Sequence, residues 1–364
     1  MLRAGLWEKE VRLLPFGEID FRELFQIAQE QSVPGLVAAG LEYVADYKVP
    51  KKDALQFASQ TMQLEQRNTA MNAIIGKLVG KMHEEGIHTV LMKGQGVAQC
   101  YERPLWRASG DVDFLFDEKS YPKAQAFFKP LASSEFKIDY KKSHRGVTLG
   151  PWSIELHANQ HCGLSKRMDA VIADVQKDIF CNGGIRCWQT GKTEVSLPSA
   201  DNDVVIIFTH FLKHFYKGGL GLRQLCDWCR LLWTYRKVIN VGLLENRLKE
   251  MRLMTEWKSF AAFSVDYLGM SKESLPLYSP EARWSRKAHG ILNFVLMSGN
   301  FGHSRRRAPK SGYFSRKAFS MCRRIGDLAR HARLFPLDSM RFFPRIMFNG
   351  LRSAFRGRKS NSGK

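Results

Sequence analysis

Apolar residues recur at two spacings along the chain, and the changes between these spacings mark its segments. Up to about residue 85 they follow the 3.6-residue period of amphipathic helices, and residues 54–84 contain few helix breakers. The polar side chains of Gln63, Gln66, Arg67 and Asn68 are expected on the solvated face of that helix, with contact to a functional site as the alternative. Short runs in which apolar and polar residues alternate then predict strands. These strands are expected at residues 88–92, 111–116, 136–140, 147–149 and 152–157.

The helical period returns after a less regular stretch. Residues 160–195 contain turn signals but no sustained period, whereas residues 197–298 indicate a series of helices. A shorter helix is expected from Ser120, as its N-cap, to about Leu131. The predicted fold class is therefore α+β, with a small mixed sheet between helical segments. The predicted units are an N-terminal helical segment, a core, a helical domain and a basic amphipathic tail, at residues 1–85, 86–195, 196–303 and 304–364.

Acidic side chains lie on two of the predicted strands. Asp111 and Asp113 project from one face of their strand, because alternate side chains share a face. Neighbouring carboxylates repel each other unless a cation lies between them, and this pair suits Mg²⁺. Glu155 supplies a third carboxylate on a later strand, and His157 shares its face. For His157 we expect either contact with Glu155 or phosphate, or a purely structural role.

The turn Lys93-Gly94-Gln95-Gly96 has the chemistry of an anion site. Its glycines let a ligand approach the backbone, and the start of the following helix offers unpaired N–H groups beside the Lys93 charge. An anion cradle next to metal-binding carboxylates indicates metal-dependent handling of a nucleoside triphosphate. Arg107 precedes Asp111 by four residues, and either reaches the triphosphate or forms a structural salt bridge.

Four short motifs follow one another along this region. They are Leu91-Met92-Lys93-Gly94, Tyr101-x-x-Pro104, Arg107-x-x-x-Asp111-x-Asp113 and Glu155-x-His157. Together they resemble the bacterial nucleotidyltransferase family proteins, a group within the superfamily that shares the DNA polymerase β catalytic fold. The chain departs from the usual superfamily pattern in having Gly94-Gln95 where Gly-Ser is common, and in a longer interval from Gly94 to Asp111.

The resemblance implies a fold, an activity and a set of site residues. The core would be a polymerase-β-like nucleotidyltransferase core, flanked by N-terminal helices and a C-terminal helical domain. It would move an NMP from an NTP to an acceptor hydroxyl and release pyrophosphate. Two Mg²⁺ ions would be held by Asp111, Asp113 and Glu155. The nucleotide would be held by Lys93, Gly94, Gln95, Gly96 and Arg107.

The predicted helical domain adds four polar residues that resemble a helical signature of the same family and would line the cleft. His210 and His214 share one helix face, a spacing that can bind zinc, although the sequence shows no third ligand. Arg223 and Asp227 are also four residues apart and are expected to form an ion pair. Cys226-x-x-Cys229 is expected to pack within a helix, and the seven cysteines to be reduced thiols.

Positive charge is concentrated at the C-terminal end. The chain has a formal net charge of +21, and residues 304–364 hold 17 of its 56 Lys and Arg but only 2 of its 35 Asp and Glu. This tail alternates basic with apolar residues, and Pro336 and Pro344 are expected to cut it into short pieces. It fits a solvated helix, an anionic membrane surface or a nucleic acid, and its many Phe and Leu residues favour the membrane surface.

Neither a bilayer-spanning apolar run of about 20 residues nor a signal-peptide core occurs in the sequence. We therefore expect a cytoplasmic protein, peripheral to the inner membrane face if the tail binds lipid. Three other functions fit the same features: a catalytically inactive nucleotide-binding protein, a nucleic-acid-modifying transferase, or a peripheral membrane scaffold. The acceptor is not determined by the sequence, and a small molecule, a glycan or a protein would each fit.

Overall fold

The computed structural model places four helices ahead of its first strand. It describes residues 1–132, 137–139, 144–300 and 313–361. The four helices are α1 Leu2–Trp7, α2 Phe21–Glu30, α3 Pro34–Leu41 and α4 Lys51–Glu84. The Asp20 side chain caps α2 by accepting hydrogen bonds from the N–H groups of Arg22 and Glu23. The long predicted helix is thus confirmed as α4, which begins three residues earlier than expected.

Helix α4 covers one face of a five-stranded sheet. Its buried residues Met71, Ile75, Leu78 and Met82 recur at helical spacing and pack in one cluster with strand residues. The strand order is β1-β2-β5-β4-β3; β2 and β5 are parallel, and the other neighbours are antiparallel. The strands are β1 Thr89–Met92, β2 Asp111–Phe116, β3 Lys137–Asp139, β4 His144–Leu149 and β5 Trp152–His157.

The sequence predicted the bounds of β2 and β5 correctly, but other elements differ. Strand β4 begins at His144, three residues earlier than expected, because residues 144–149 pair along the whole of β5. Phe136 and Tyr140 lie outside the described residues. Helix α6, Ser120–Phe128, ends before Leu131, and Ser120 is not its N-cap. Instead, the Ser120 hydroxyl accepts a hydrogen bond from the N–H of His88 at 3.1 Å, ahead of β1.

The stretch predicted to be irregular contains a helix and a hairpin. Helix α7 is Lys166–Cys181, and the hairpin pairs β6 Ile185–Thr190 with β7 Thr193–Pro198. Ser165 caps α7 by accepting a hydrogen bond from the N–H of Met168. The helical period was present in the sequence, since Met168, Ile172, Val175 and Ile179 form the buried face of α7. The expectation of irregular structure at 160–195 was therefore wrong.

Five further helices form an aromatic core, as predicted for residues 197–298. They are α8 Ala200–Lys217, α9 Leu222–Thr234, α10 Val241–Met251, α11 Met254–Asp266 and α12 Ala282–Ser298. Phe208 of α8 lies 4.9 Å from Trp257 of α11 and 5.7 Å from Trp228 of α9, measured between ring centroids. Cys226 and Cys229 are buried within α9, and burial raises the pKa of the Cys229 thiol to about 12.

The basic tail contains two long helices, α13 Tyr313–Leu334 and α14 Pro336–Asn361. Pro336 begins α14, but Pro344 lies inside it, so the expectation that this proline breaks the tail was wrong. Packing explains the difference: Phe342 and Ile346 on either side of Pro344 are buried in the main core. In the described part of the chain, no helix has both the length and the hydropathy needed to cross a membrane.

The α+β fold class predicted from the sequence is confirmed. Buried residues of α1–α3, α7–α12 and α14 belong to one apolar cluster, which also includes Phe57 of α4 and Val90, Met92 and Leu115 of the sheet. Most buried residues of the sheet and of α4 form a second cluster. The division of the chain at residues 85, 195 and 303 stays a prediction.

Candidate active site

The strand register brings the predicted acidic residues together at one end of the sheet. In the parallel pair β2–β5, Asp113 lies directly opposite Glu155, and Asp111 lies opposite Ser153. On the other side of β2, Asp113 lies opposite Met92, the last residue of β1. Because side chains alternate along a strand, Asp111 and Asp113 share a face, as do Glu155 and His157. The sheet thus presents four titratable side chains on two adjacent strands.

Asp113 is the centre of the contacts among these residues. Its Oδ1 accepts a hydrogen bond from Lys93 Nζ at 3.1 Å and lies 2.8 Å from His157 Nε2. The same His157 nitrogen lies 3.4 Å from Glu155 Oε2. One ligand atom from each of Asp113, Glu155 and His157 therefore falls within 4.8 Å of the others. No other group of three His, Cys, Asp or Glu side chains in the described residues is as close.

The charges around Asp113 determine which groups hold protons. Burial alone would raise the pKa of Asp113, but Lys93 and His157 overcome that effect and hold it well below its usual range. Burial opposes protonation of His157, yet hydrogen bonds to Asp113 and Glu155 raise its pKa. Lys93 behaves likewise, because three carboxylates outweigh its burial and raise its pKa. Asp113 is therefore ionised, and its charge is stabilised by Lys93 and by the imidazole of His157.

Asp111 has a different environment from Asp113. It begins β2 and is exposed, whereas Asp113 is buried. Neighbouring protein atoms displace water from its carboxyl group, and the charge of Asp113 repels it, so the pKa of Asp111 is raised. Asp111 therefore lies at the rim, on the same strand face as Asp113 but outside the closely spaced group of three.

The residues present fit a divalent cation. Two carboxylates face each other on adjacent strands, with an imidazole beside them and a further carboxylate at the rim. Oxygen ligands suit Mg²⁺, and the imidazole also suits Mn²⁺ or Zn²⁺. A cation bound here would neutralise the carboxylate charge that Lys93 and His157 otherwise stabilise.

The predicted anion turn follows β1 and differs in detail from the expectation. Lys93 has a φ of 55° and Gly94 a φ of 41°, so two left-handed residues connect β1 to helix α5, Gly94–Ala98. This sharp reversal leaves the Lys93 side chain next to Asp113. A Cβ on Gly96 would lie 2.8 Å from Leu197 Cδ2, so this glycine allows α5 to pack against β7.

The Gln95 side chain is buried and directed toward α4. Its Nε2 donates to Asn68 Oδ1 at 2.8 Å and to Ser109 Oγ at 3.2 Å. Asn68 in turn donates to the carbonyl oxygens of Leu105 and Arg107 at 2.7 and 2.8 Å. Asn68 is fully buried, so the expectation of a solvated face at 63–68 was wrong for this residue. This network fixes the loop that leads into β2, and Ser109 is a contributor that sequence reasoning missed.

Arg107 is also held within the protein. Its Nε and Nη2 each donate to the carboxylate of Asp227, the predicted partner of Arg223, at 2.7 Å. Its Nη1 donates to Ser109 Oγ at 2.8 Å, and the Tyr101 hydroxyl donates to Asp227 at 2.8 Å. Arg223 Nη1 donates to the carbonyl of Ala108 at 2.8 Å. Of the two expectations for Arg107, the geometry favours the structural salt bridge.

His210 and His214 form a pair on α8, with their Nε2 atoms 3.2 Å apart. Burial lowers the pKa of both, that of His214 to about 3, and the nearby charges of Lys93 and Lys213 lower them further. Among the described residues, no third His, Cys, Asp or Glu joins the pair at ligand distance.

Comparison with known proteins yields one family and one structural likeness. A family model described as "Uncharacterised nucleotidyltransferase" matches residues 17–268. A crystal structure of an antigenic nucleotidyltransferase-like protein from Paracoccidioides brasiliensis is 13% identical, with a TM-score of 0.35. That likeness covers 58% of this chain and 94% of the other. A search of curated proteins finds no match.

Proposed function

The chain belongs to the family of uncharacterised nucleotidyltransferases, and from that premise we propose that it transfers an NMP from an NTP to an acceptor hydroxyl. The observation that carries this proposal is the position of Asp113 opposite Glu155, with His157 and Lys93 in contact with Asp113. Carboxylates that face each other beside a lysine provide both cation ligands and a phosphate contact.

The reaction forms one bond and breaks one bond. The acceptor oxygen attacks the α-phosphorus, the bond from this phosphorus to the bridging oxygen breaks, and pyrophosphate leaves with the electron pair. The acceptor proton passes to a base, and Glu155 is the candidate because it is the less buried of the two facing carboxylates. Lys93 would contact the triphosphate, together with the backbone of residues 94–96.

Asp113, Glu155 and Asp111 would hold two Mg²⁺ ions, with His157 as a further ligand or as the group that orients Glu155. A bound divalent cation supplies charge neutralisation on the triphosphate and its leaving group. Gln95 and Arg107 support the site indirectly, because their hydrogen bonds fix the loop ahead of β2.

A second candidate function is nucleotide binding without transfer. It is favoured by the contacts of Asp113 with Lys93 and His157, since they stabilise the charge of this carboxylate without a bound cation. If Asp113 and Glu155 had only a structural role, their contacts with Lys93 and His157 would be sufficient.

The test is calorimetric titration of the four NTPs with Mg²⁺, comparing wild type with Asp113→Asn/Glu155→Gln. Glu84→Gln/Glu85→Gln, at the exposed end of α4, removes the same two charges and is the control. Mg²⁺-dependent binding lost only in the site variant, with pyrophosphate release in the presence of an acceptor, supports transfer. Binding without pyrophosphate release across sugar, glycan and protein acceptors supports the second function, and failure to bind any NTP contradicts both.

A further inference from the structure

Helix α14 has two apolar faces, and only one of them is covered. Phe342 and Ile346 are turned inward and are buried in the main core. Leu337, Met340 and Phe348 are 66%, 73% and 63% exposed. These three residues, at intervals of three and eight, share the opposite side of the helix. A set of large apolar side chains aligned in solvent is typical of an interaction surface.

A basic cavity lies beside this exposed face. It has a volume of about 330 Å³ and lies between the start of α7, the residue that follows α10, and α14. Its cationic lining residues are Lys166, Arg167, Arg252 and Arg341, and its one acidic lining residue is Asp338. Asp338 Oδ1 is paired with Arg341 Nη1 at 3.0 Å, so the cavity keeps an excess of positive charge.

The apolar face and the cavity have a fixed relationship. Arg345 of α14 forms an ion pair with Asp169 of α7 at 2.7 Å, which holds the two helices side by side. Arg341 lines the cavity and lies four residues after Leu337 of the exposed face, so their side chains are neighbours on the helix surface and the two features adjoin. An apolar strip bordered by arginines therefore runs along one side of the molecule.

We propose that the outer face of α14, with the basic cavity beside it, binds the surface of an anionic lipid bilayer. Leu337, Met340 and Phe348 would enter the boundary between headgroups and acyl chains, and the cavity would take a lipid phosphate. Charge complementarity selects this partner, since residues 304–364 hold 17 Lys and Arg against 2 Asp and Glu.

Two other partners fit less well. A second copy of the chain would carry the same positive charge and would be repelled at this face. A nucleic acid is bound through phosphate contacts and flat rings on which bases stack, whereas Leu337 and Met340 are aliphatic. Charge thus disfavours a second copy, and the aliphatic side chains of Leu337 and Met340 disfavour a nucleic acid.

The experiment is sedimentation of the full chain with vesicles of phosphatidylcholine alone, or of phosphatidylcholine mixed with phosphatidylglycerol. We expect binding to the mixed vesicles only, weakened by added salt. Leu337→Asp/Met340→Asp should reduce binding by at least about tenfold, because it places two anions in the contact face. Leu55→Asp/Met62→Asp is the control, since these residues of α4 are 60% exposed and lie on another surface.

The cavity has its own matched pair of variants. Lys166→Ala/Arg167→Ala removes two positive charges from the first two positions of α7. Lys51→Ala/Lys52→Ala removes two positive charges from the first two positions of α4 and is the control. Only the α7 pair should weaken vesicle binding. Circular dichroism of each variant confirms that the fold is retained.

Several results would overturn the proposal. The proposal is wrong if wild type does not bind the mixed vesicles. It is also wrong if Leu337→Asp/Met340→Asp binds them as well as wild type does. A dimer in sedimentation velocity that Leu337→Asp/Met340→Asp dissociates, without vesicle binding, would assign the face to a second copy. Tight binding of single-stranded RNA that this variant leaves intact, again without vesicle binding, would assign the basic residues to nucleic acid.

Discussion

Arg107 and Asp227 form a buried bidentate ion pair between the loop ahead of β2 and helix α9. Both contacts are 2.7 Å long, and the Tyr101 hydroxyl donates a third hydrogen bond to the same carboxylate. The loop held in this way continues directly into Asp111 and Asp113. A residue pair without a direct contact to the acidic cluster thus sets where the cluster lies relative to the helices.

Removing one member of this pair should be costly. Arg107→Met leaves the Asp227 carboxylate buried without its partner, and we expect the free energy of unfolding to fall by about 3–5 kcal/mol. Arg103→Met breaks the bidentate pair with Glu42, which is substantially exposed, so its loss should cost only about 0–1 kcal/mol. Urea denaturation measures the free energy of unfolding of both variants. Equal losses would mean that burial of the Arg107–Asp227 pair does not increase its contribution to stability.

The two aspartates of β2 should contribute unequally to cation binding. Asp113 lies within the group of three ligand atoms, whereas Asp111 lies at the rim. We expect Asp113→Asn to abolish Mn²⁺ binding measured by calorimetry, and Asp111→Asn to weaken it by about tenfold, the effect of one lost oxygen contact. The reverse order would mean that the cation binds at Asp111 and that the cluster around Asp113 is structural.

Local sequence patterns were sufficient to predict the strands that carry the acidic residues. Alternation gave β2 and β5 their correct bounds, and the shared face of Asp111 and Asp113 follows from that alternation alone. That Asp113 lies opposite Glu155 follows from parallel pairing between strands 36 or more residues apart, which no local pattern encodes.

Other features of the fold have the same non-local origin. Asp227 lies four residues from Arg223 on one helix, and its carboxylate accepts two hydrogen bonds from Arg107, which is distant in sequence and close in the fold. Pro344 lies within a helix because burial of Phe342 and Ile346 outweighs the helix-breaking tendency of proline. Helix α7 was missed despite a visible signal, because the surrounding Gly-rich turns were given more weight than its period.

The histidine pair of α8 should make stability depend on pH. The folded-state pKa of His214 is lowered to about 3, so between pH 6.5 and 3 the unfolded chain binds a proton that the folded chain does not. The contribution of neutral His214 to the free energy of unfolding is therefore fully present above pH 6.5. It falls as the pH decreases, by about 1.4 kcal/mol per pH unit for one histidine. His214→Gln should reduce that slope between pH 5 and 6.5 in urea denaturation.

The control for this measurement is His83→Gln. His83 is exposed near the end of α4, and its loss should leave the slope unchanged. A His214→Gln slope equal to that of wild type would contradict the lowered pKa.

The first part of the basic tail should contribute to stability as a core element. Phe335, between α13 and α14, is 1% exposed and packs near Phe215 of α8, whereas Phe348 of α14 is 63% exposed. Phe335→Ala leaves a cavity in the core and should lower the free energy of unfolding by about 3–5 kcal/mol. Phe348→Ala makes the same chemical change in solvent and should cost less than about 0.5 kcal/mol. Thermal and urea denaturation of the two variants compare them directly, and a small effect of Phe335→Ala would mean that α13 and α14 are not joined to the core.

Removing all residues after 303 should therefore destabilise the helices α8 and α12, so membrane binding is better tested with point variants of the full chain.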